Sequence, residues 1–296
     1  MYRLYVITRH TFFEAIVQPI YSLLLALGAG VLIIFGALPF FTLGEDTVMY
    51  KSVSLDVILL FVLIATLFAT SRSIYEEIED RTMLTLMSKP VKRWEVLVGK
   101  YLGIIAAAAL AVAVLGFLLM LCTYLRIPND YLLRANTLDD REARQLHDYR
   151  LMHLAGLLPS LILLWLQISV LAAVGVALST RFSLVVNLPT VILLYVAGNL
   201  TRFLPLHEGS ALLRGLGYVI STVLPFLQVF DLRDLTVYRP IAVAGTSYAQ
   251  NPSAVPLSVI WTYIGIAVAY GVMYASFALA AGLYSFRTRE LGGAEG

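Results

Sequence analysis

The chain is short of charge, cysteine and histidine, and each shortage removes a class of protein. Only 14% of its 296 residues are Asp, Glu, Lys or Arg, while 59% are hydrophobic. Soluble domains carry about 25% charged and roughly 45–50% apolar residues, so an ordinary soluble globule is excluded. The 21 basic and 19 acidic residues leave a net charge of +2, too little for a nucleic-acid surface, and low polarity also excludes a disordered chain. A single cysteine, Cys122, permits no internal disulfide and no cysteine metal cage. The four histidines, His10, His147, His153 and His207, fall in separate segments without metal-ligand spacing and are expected at outer or interfacial surfaces. No Gly-x-Ser-x-Gly elbow, Cys-x-x-Cys pair or Gly-x-Gly-x-x-Gly loop occurs. Catalysis has no visible residues.

What the chain has instead is long apolar sequence. About 20 apolar residues span a bilayer core of roughly 30 Å as a helix, and lipid leaves only helices or closed barrels to satisfy the backbone. Six stretches qualify: Pro19–Phe41, Val53–Tyr75, Tyr101–Leu125, Leu151–Ser179, Phe182–Thr201 and Leu257–Tyr284. Their unbroken apolarity excludes the alternating pattern of a barrel. The expected fold is therefore all-α and polytopic, a single membrane domain over 1–296.

Residues 1–18 differ. Tyr2, Tyr5, Val6, Phe12, Phe13, Ile16 and Val17 share one helical face, with Arg3, Thr8, His10, Thr11, Glu14 and Gln18 largely on the other. This predicts an amphipathic helix in the interface plane. A cleaved signal peptide is not expected, because the apolar run that follows is about twice the usual 7–15 residues. An even number of spans puts both termini on one side. That side carries eleven of the 21 Lys and Arg, and the remainder are interleaved with acids, as in Asp139, Asp140, Arg141, Glu142 and Arg144. The terminal side keeps the net positive charge and reads as cytoplasmic. Two outer segments are long. Residues 126–150 include Leu138–Tyr149, expected as a short surface helix, and 204–256 include an apolar stretch, Ala211–Phe230, interrupted by Arg214, Gly215, Gly217 and Pro225. A central Arg costs roughly 2.5–3.5 kcal/mol on insertion, which favours a re-entrant or interfacial hairpin over a seventh span.

Charge concentrates between the second and third spans. Arg72, Glu76, Glu77, Glu79, Asp80, Arg81, Lys89, Lys92, Arg93, Glu95 and Lys100 crowd into one cytoplasmic elbow. Acids come first, where a helix starting near Glu76 would hold them in its first turn. The apolar residues Leu84, Leu86 and Met87 follow, Pro90 then forces a turn, and a basic helix start ends the segment. Trp94 suits interfacial depth, and Gly99-x3-Gly103 allows close helix approach. A surface helix presenting charge and a few apolar side chains is built for a partner.

The order Glu77, Arg81-Thr82, Leu84, Leu86, Ser88-Lys89-Pro90-Val91, Arg93 and Gly99-Lys100 resembles the cytoplasmic coupling segment of type-2 ABC exporter permeases, the ABC-2 superfamily. Arg81 stands where that family more often has Gly. The resemblance implies a permease that dimerises, as homo- or heterodimer, in the inner membrane of a bacterium. It implies ATP-driven export, with ATP and Mg held by a separate cytoplasmic ATPase and no cofactor on this chain. Glu76, Glu77, Arg81, Thr82, Leu84 and Met87 would face the ATPase, Pro90, Arg93 and Trp94 would set the elbow, and Gly99 and Lys100 would anchor it. Spans two and five would line the path, favouring Phe61, Phe68, Asn187 and Tyr195. Consistently, Gly99-Lys100 is not a nucleotide-binding loop, since Trp94 stands where the first Gly is needed and Tyr101 follows.

Two other readings compete. Glu76-Glu77-x3-Arg81 and Phe203-x3-His207 match two motifs of intramembrane metalloproteases, but no His-x3-Asn/Asp follows and the two motifs fall on opposite sides. The long outer segments alternatively suit a membrane anchor for an extracytoplasmic assembly. Polar residues inside spans are few. Asp56 lies near an outer end and is expected to meet headgroups or water, Gln167 and Asn199 stand alone, and Asn187 beside Pro189 is expected mainly to pack helices. Small-residue stripes, Ala267-Gly271-Ala275 and Gly175-Ser179, allow close contact within one chain or between two.

Overall fold

Apolar sequence free of internal charge folds here into long helices, because in lipid each backbone N–H must find a carbonyl within its own segment. The computed structural model describes residues 2–38, 46–80, 92–132, 140–200 and 224–287, the side chains of 128–143, 250 and 287 excepted. Seven helices of sixteen or more residues follow in order: α1 Tyr2–Val17, α2 Pro19–Ala37, α3 Asp46–Thr70, α4 Arg93–Leu132, α5 Asp140–Ser179, α6 Leu184–Leu200 and α7 Leu257–Arg287. A π-helical turn, Ser71–Glu76, and a last turn, Glu77–Glu79, prolong α3 without a break. Pro19 opens α2, where its missing N–H costs nothing. Among the described residues the one strand pairing is a two-residue parallel match of Ile241–Ala242 with Val255–Pro256.

Five of these helices, α2, α3, α4, α5 and α7, are long and apolar enough to cross a membrane. The chain is a multi-pass membrane protein. The stretch expected over Phe182–Thr201 forms the shorter α6, 17 residues, because Phe182 and Ser183 stay outside the helix. Several other boundaries also move. Leu138–Tyr149 is not a separate surface helix, since 140–149 are the opening turns of α5. No new helix begins near Glu76, which α3 reaches unbroken. Of Ala211–Phe230 only the end is described, and there Leu227–Phe230 is a 3₁₀ turn. In α3 and α5 the polar residues that mark a span's limit still make helical hydrogen bonds once the helix leaves lipid.

Helices α3 and α5 are the buried centre, and side-chain hydrogen bonds to neighbouring backbones stitch the bundle. Tyr21 donates to the Ala107 carbonyl (2.9 Å), Tyr101 to Ser169 (3.2 Å), Trp165 to Ile105 (3.0 Å) and Tyr50 to Leu32 (3.2 Å). Such bonds contribute on the order of 0.6 kcal/mol each in a membrane. The small-residue stripes serve the chain's own bundle. A Cβ on Gly271 would lie 3.6 Å from Val170, one on Gly175 3.0 Å from Leu67, and one on Gly282 only 2.8 Å from the Ala177 backbone.

The bundle has two polar ends. At the elbow end, where α3 finishes and α4 begins, α1 lies on α4. Cβ atoms at Gly99 and Gly103 would fall 2.8 Å from Ile7 and 2.6 Å from the Thr8 carbonyl. Thr11 and Ala15 are buried there, while Tyr2, Tyr5, Val6, Phe13 and Val17 stay exposed. At the far end, residues 224–256 form a cap. Thr236 shares a hydrogen bond with Ser160 (2.8 Å), Tyr238 donates to Ser52 (3.2 Å), Asp148 accepts from the Ser247 N–H (2.9 Å) and Tyr270 accepts from the Phe226 N–H (2.7 Å).

The cap sits closest at Gly156, where a Cβ would clash with the Thr236 carbonyl oxygen. Gly156→Ala is therefore expected to cost about 1–3 kcal/mol through overpacking and to speed proteolysis within 224–256. Gly30→Ala, with nothing within 4 Å of the new Cβ, is the control and should hold or raise the melting temperature.

Candidate functional site

The elbow end is built around Lys100. Its position on the second turn of α4 buries the side chain against α3, and the ammonium donates to the Ser73 carbonyl, to Ser73 Oγ (3.1 Å) and to Glu77 Oε1 (2.6 Å). A π turn carries one residue more per turn than an α turn and often marks a functional bend. Here it turns the Ser73 carbonyl toward α4, where Lys100 satisfies it. Glu77 is thus a partner of Lys100, at 27% exposure, rather than a freely presented carboxylate, whereas Glu76, Glu79 and Asp80 are exposed.

Glu14 of α1 joins this cluster. Burial raises its carboxyl above the ordinary range, against the opposing pull of the Lys100 ammonium, while Glu77 adds to the rise. Its Oε2 lies 3.9 Å from His10 Nδ1. Arg93 fixes the first turn of α4 to the end of α7, donating to the Phe286 carbonyl (2.9 Å) with the guanidinium 5.4 Å from that ring. Arg181 donates to Ser285 beside it (2.7 Å). Trp94 is 42% exposed, as an interfacial anchor would be. Arg81, Thr82, Leu84, Met87 and Pro90 lie outside the described residues, so what is described is the mount of the elbow.

The four path residues separate. The Phe61 ring faces α2, 3.4 Å from a Cβ placed on Gly28, and Phe68 is half-buried two turns along the same helix. Asn187 and Tyr195 sit against the opposite face of α3. Asn187 is fully buried and its amide donates to Ser179 (2.7 Å), the Gly175 carbonyl (3.2 Å) and Thr70 (3.5 Å), so it clamps α3, α5 and α6 together.

Tyr195 opens onto a cavity of about 120 Å³ at the far end, lined also by Asp56, Gln167, Asn199 and the cap residue Arg233. The three scattered polar residues of the sequence thus meet in one place. Asp56, with its side chain 55% exposed, accepts a hydrogen bond from Arg233 at 2.6 Å. Burial alone would lower the Arg233 pKa, but the hydrogen bond and charge of Asp56 raise it above its ordinary value. Two further cations were not foreseen as site residues. Arg126 caps α2 by donating to the Gly36 and Leu38 carbonyls, each at 2.9 Å. Lys51, buried, lies 2.7 Å from His153 Nδ1 and 3.5 Å from the Val237 carbonyl. His153 is therefore buried, against the surface position expected of it, because α3 and α5 extend beyond their apolar cores and the cap covers both. A basic residue directly after an apolar run was the available signal for Arg126. Among the described residues no three His, Cys, Asp or Glu side chains group to hold a metal.

A family model described as ABC-2 family transporter protein matches residues 48–291, more than half of the chain. The chain belongs to the ABC-2 transporter family. No curated protein matches it significantly. As a permease of an ABC-2 transporter, it has its elbow, the far-end cap and all but the first two residues of α3 within the matched region, while α1 and α2 precede it.

Lys100→Met in this permease leaves Glu77 without its cation and the Ser73 carbonyl without its donor. The expected loss is about 1–3 kcal/mol, less than for a fully buried pair because Glu77 is partly solvated. The Lys100→Met, Glu77→Gln double variant should recover part of that loss in denaturation of the purified chain, by a coupling measurable in a double-mutant cycle. Glu14 supplies a pH test. Its raised folded pKa favours the neutral acid, so its contribution is complete at low pH and is lost as pH rises through the folded value. Glu14→Gln should stabilise the chain at neutral pH and make no difference below about pH 4.

Proposed function

We propose that this permease couples ATP hydrolysis on a separate cytoplasmic ATPase to export across the bacterial inner membrane. The observation that carries the reading is the mounted elbow. Glu76, Glu79 and Asp80 face outward at the end of α3, Arg93 and Trp94 open α4, and Lys100 locks the two helices together behind them. A force applied to 76–100 therefore reaches α3, α4 and, through Arg93, α7. The chain has no nucleotide site of its own on this reading. Lys100, the one Lys that follows a Gly, is committed to Ser73 and Glu77 and is unavailable to a phosphate. ATP and Mg belong to the partner, and Arg81, Thr82, Leu84 and Met87 would meet it.

The same reading places six passes in the membrane with both termini cytoplasmic and α1 flat in the interface. Support for α6 as the sixth comes from its ends. Asn187 near its start reaches Ser179 at the elbow end, while the Asn199 carbonyl accepts from Gln228 of the cap (3.4 Å), so α6 joins the two ends. Seventeen residues rise about 25 Å, near the lower limit for a span. For α1, the apolar residues left exposed are those an interfacial helix sinks among acyl chains. A second permease copy would meet other faces than the small-residue stripes, which this chain already uses.

Purification from native membranes should recover an ATP-hydrolysing subunit with the permease. Arg81→Glu combined with Leu84→Asp should lower transport and ATPase recovery at least about tenfold without reducing the amount of permease in the membrane. A permease isolated without any ATPase, together with unchanged transport by the double variant, would overturn the reading. Zinc content with peptide cleavage abolished by Glu77→Ala would instead establish the protease.

A further inference from the structure

The far-end cavity is more than a gap beneath the cap. Asp56 and Leu59 of α3, Gln167 of α5, Tyr195 and Asn199 of α6, and Phe230–Arg233 of the cap converge on it. At about 120 Å³ it holds roughly four waters or one small organic head group.

Its charge decides which head group. Among the described residues Arg233 is the only cation lining it and is already engaged, by Asp56 at 2.6 Å and by Asp231 at 3.5 Å. The two carboxylates keep 55% and 46% side-chain exposure, against 23% for the guanidinium. An incoming anion would meet two carboxylates and a guanidinium already spent, whereas a cation meets a surplus negative charge. The rings of Tyr195 and Phe230 line the same space and favour a cation over their faces. Deeper in, Gln167 is 6% exposed and lines the cavity. An amide has donors and an acceptor, and a ligand hydroxyl or ester oxygen can pair with it there.

We propose that this cavity binds a protonated primary amine next to a hydrogen-bonding oxygen, the chemistry of an ethanolamine head group, either free or carried on a lipid. Asp56 and Asp231 hold the ammonium, Tyr195 and Phe230 flank it, and Gln167 and Asn199 meet the oxygen. A trimethylammonium group donates no hydrogen bond to either carboxylate and should bind more weakly. That the site serves a cargo rests on the transporter reading. The binding itself does not.

The test uses the full-length chain without any ATPase, titrated calorimetrically with ethanolammonium chloride against choline chloride and sodium chloride at equal ionic strength. Saturable ethanolammonium binding is expected, weakened at least about tenfold by Asp56→Asn, by Asp231→Asn and by Gln167→Leu, with choline weaker than ethanolammonium. Native mass spectrometry from nanodiscs of phosphatidylethanolamine or phosphatidylcholine separates the sources. Retention of phosphatidylethanolamine that depends on Asp56 assigns a lipid, and binding of the soluble amine alone assigns a free one. No saturable binding above the salt control by wild-type chain, equal binding by Asp231→Asn with an unchanged melting temperature, or tighter binding of inorganic phosphate would overturn the proposal. Because no ATPase is present, failure here leaves the coupling reading standing, and loss of the coupling reading leaves this result standing.

Discussion

Lipid offers no hydrogen bonds, and the placement of almost every polar atom in this chain follows from that constraint. Backbone groups pair within the helices. Side chains that carry a donor into the bundle, Tyr21, Tyr101, Trp165 and Asn187, spend it on a neighbouring carbonyl or hydroxyl. Full charges collect at the two ends, where four of the cations perform structural tasks. Lys100 closes the π turn, Arg93 pins α7, Arg126 caps α2 and Arg233 ties the cap to α3. Cations do this work because carbonyl oxygens at helix ends and turns are what a helical bundle leaves over.

The two ends are linked by α3. Its last turns carry the Ser73 and Glu77 contacts with Lys100, and Asp56, fourteen residues before its helical part ends at Thr70, faces the far-end cavity. Thr70 meets Asn187 of α6, and Tyr195, two turns further along α6, lines the same cavity. Packed contacts thus join the elbow to the far end along both α3 and α6.

Much of this was legible in the sequence, and the rest was hidden for identifiable reasons. Hydropathy showed where lipid-facing helices run but not where they stop, since Glu76 and the opening residues of α5 continue a helix beyond lipid as readily as they end one. Gly99 and Gly103 announced a close approach. That α1 is the helix they receive is a tertiary fact that spacing alone does not carry. Asp56, Gln167 and Asn199 stood out as polar residues in apolar runs, but their meeting point depends on Arg233, which lies in a mixed segment with no periodicity. His153 read as a surface residue because nothing in the sequence shows that the cap covers it. For the elbow the order of residue types was informative, and what the structure adds is the lock behind it.

One dimension bears on how such a machine can move. Helices α4 and α5 each run for 40 residues, about 60 Å at 1.5 Å per residue, roughly twice the hydrocarbon thickness. Each is therefore a beam with a long overhang beyond the bilayer. A tilt of a few degrees about a pivot in the membrane moves the overhanging tip by several ångströms while the buried turns hardly shift.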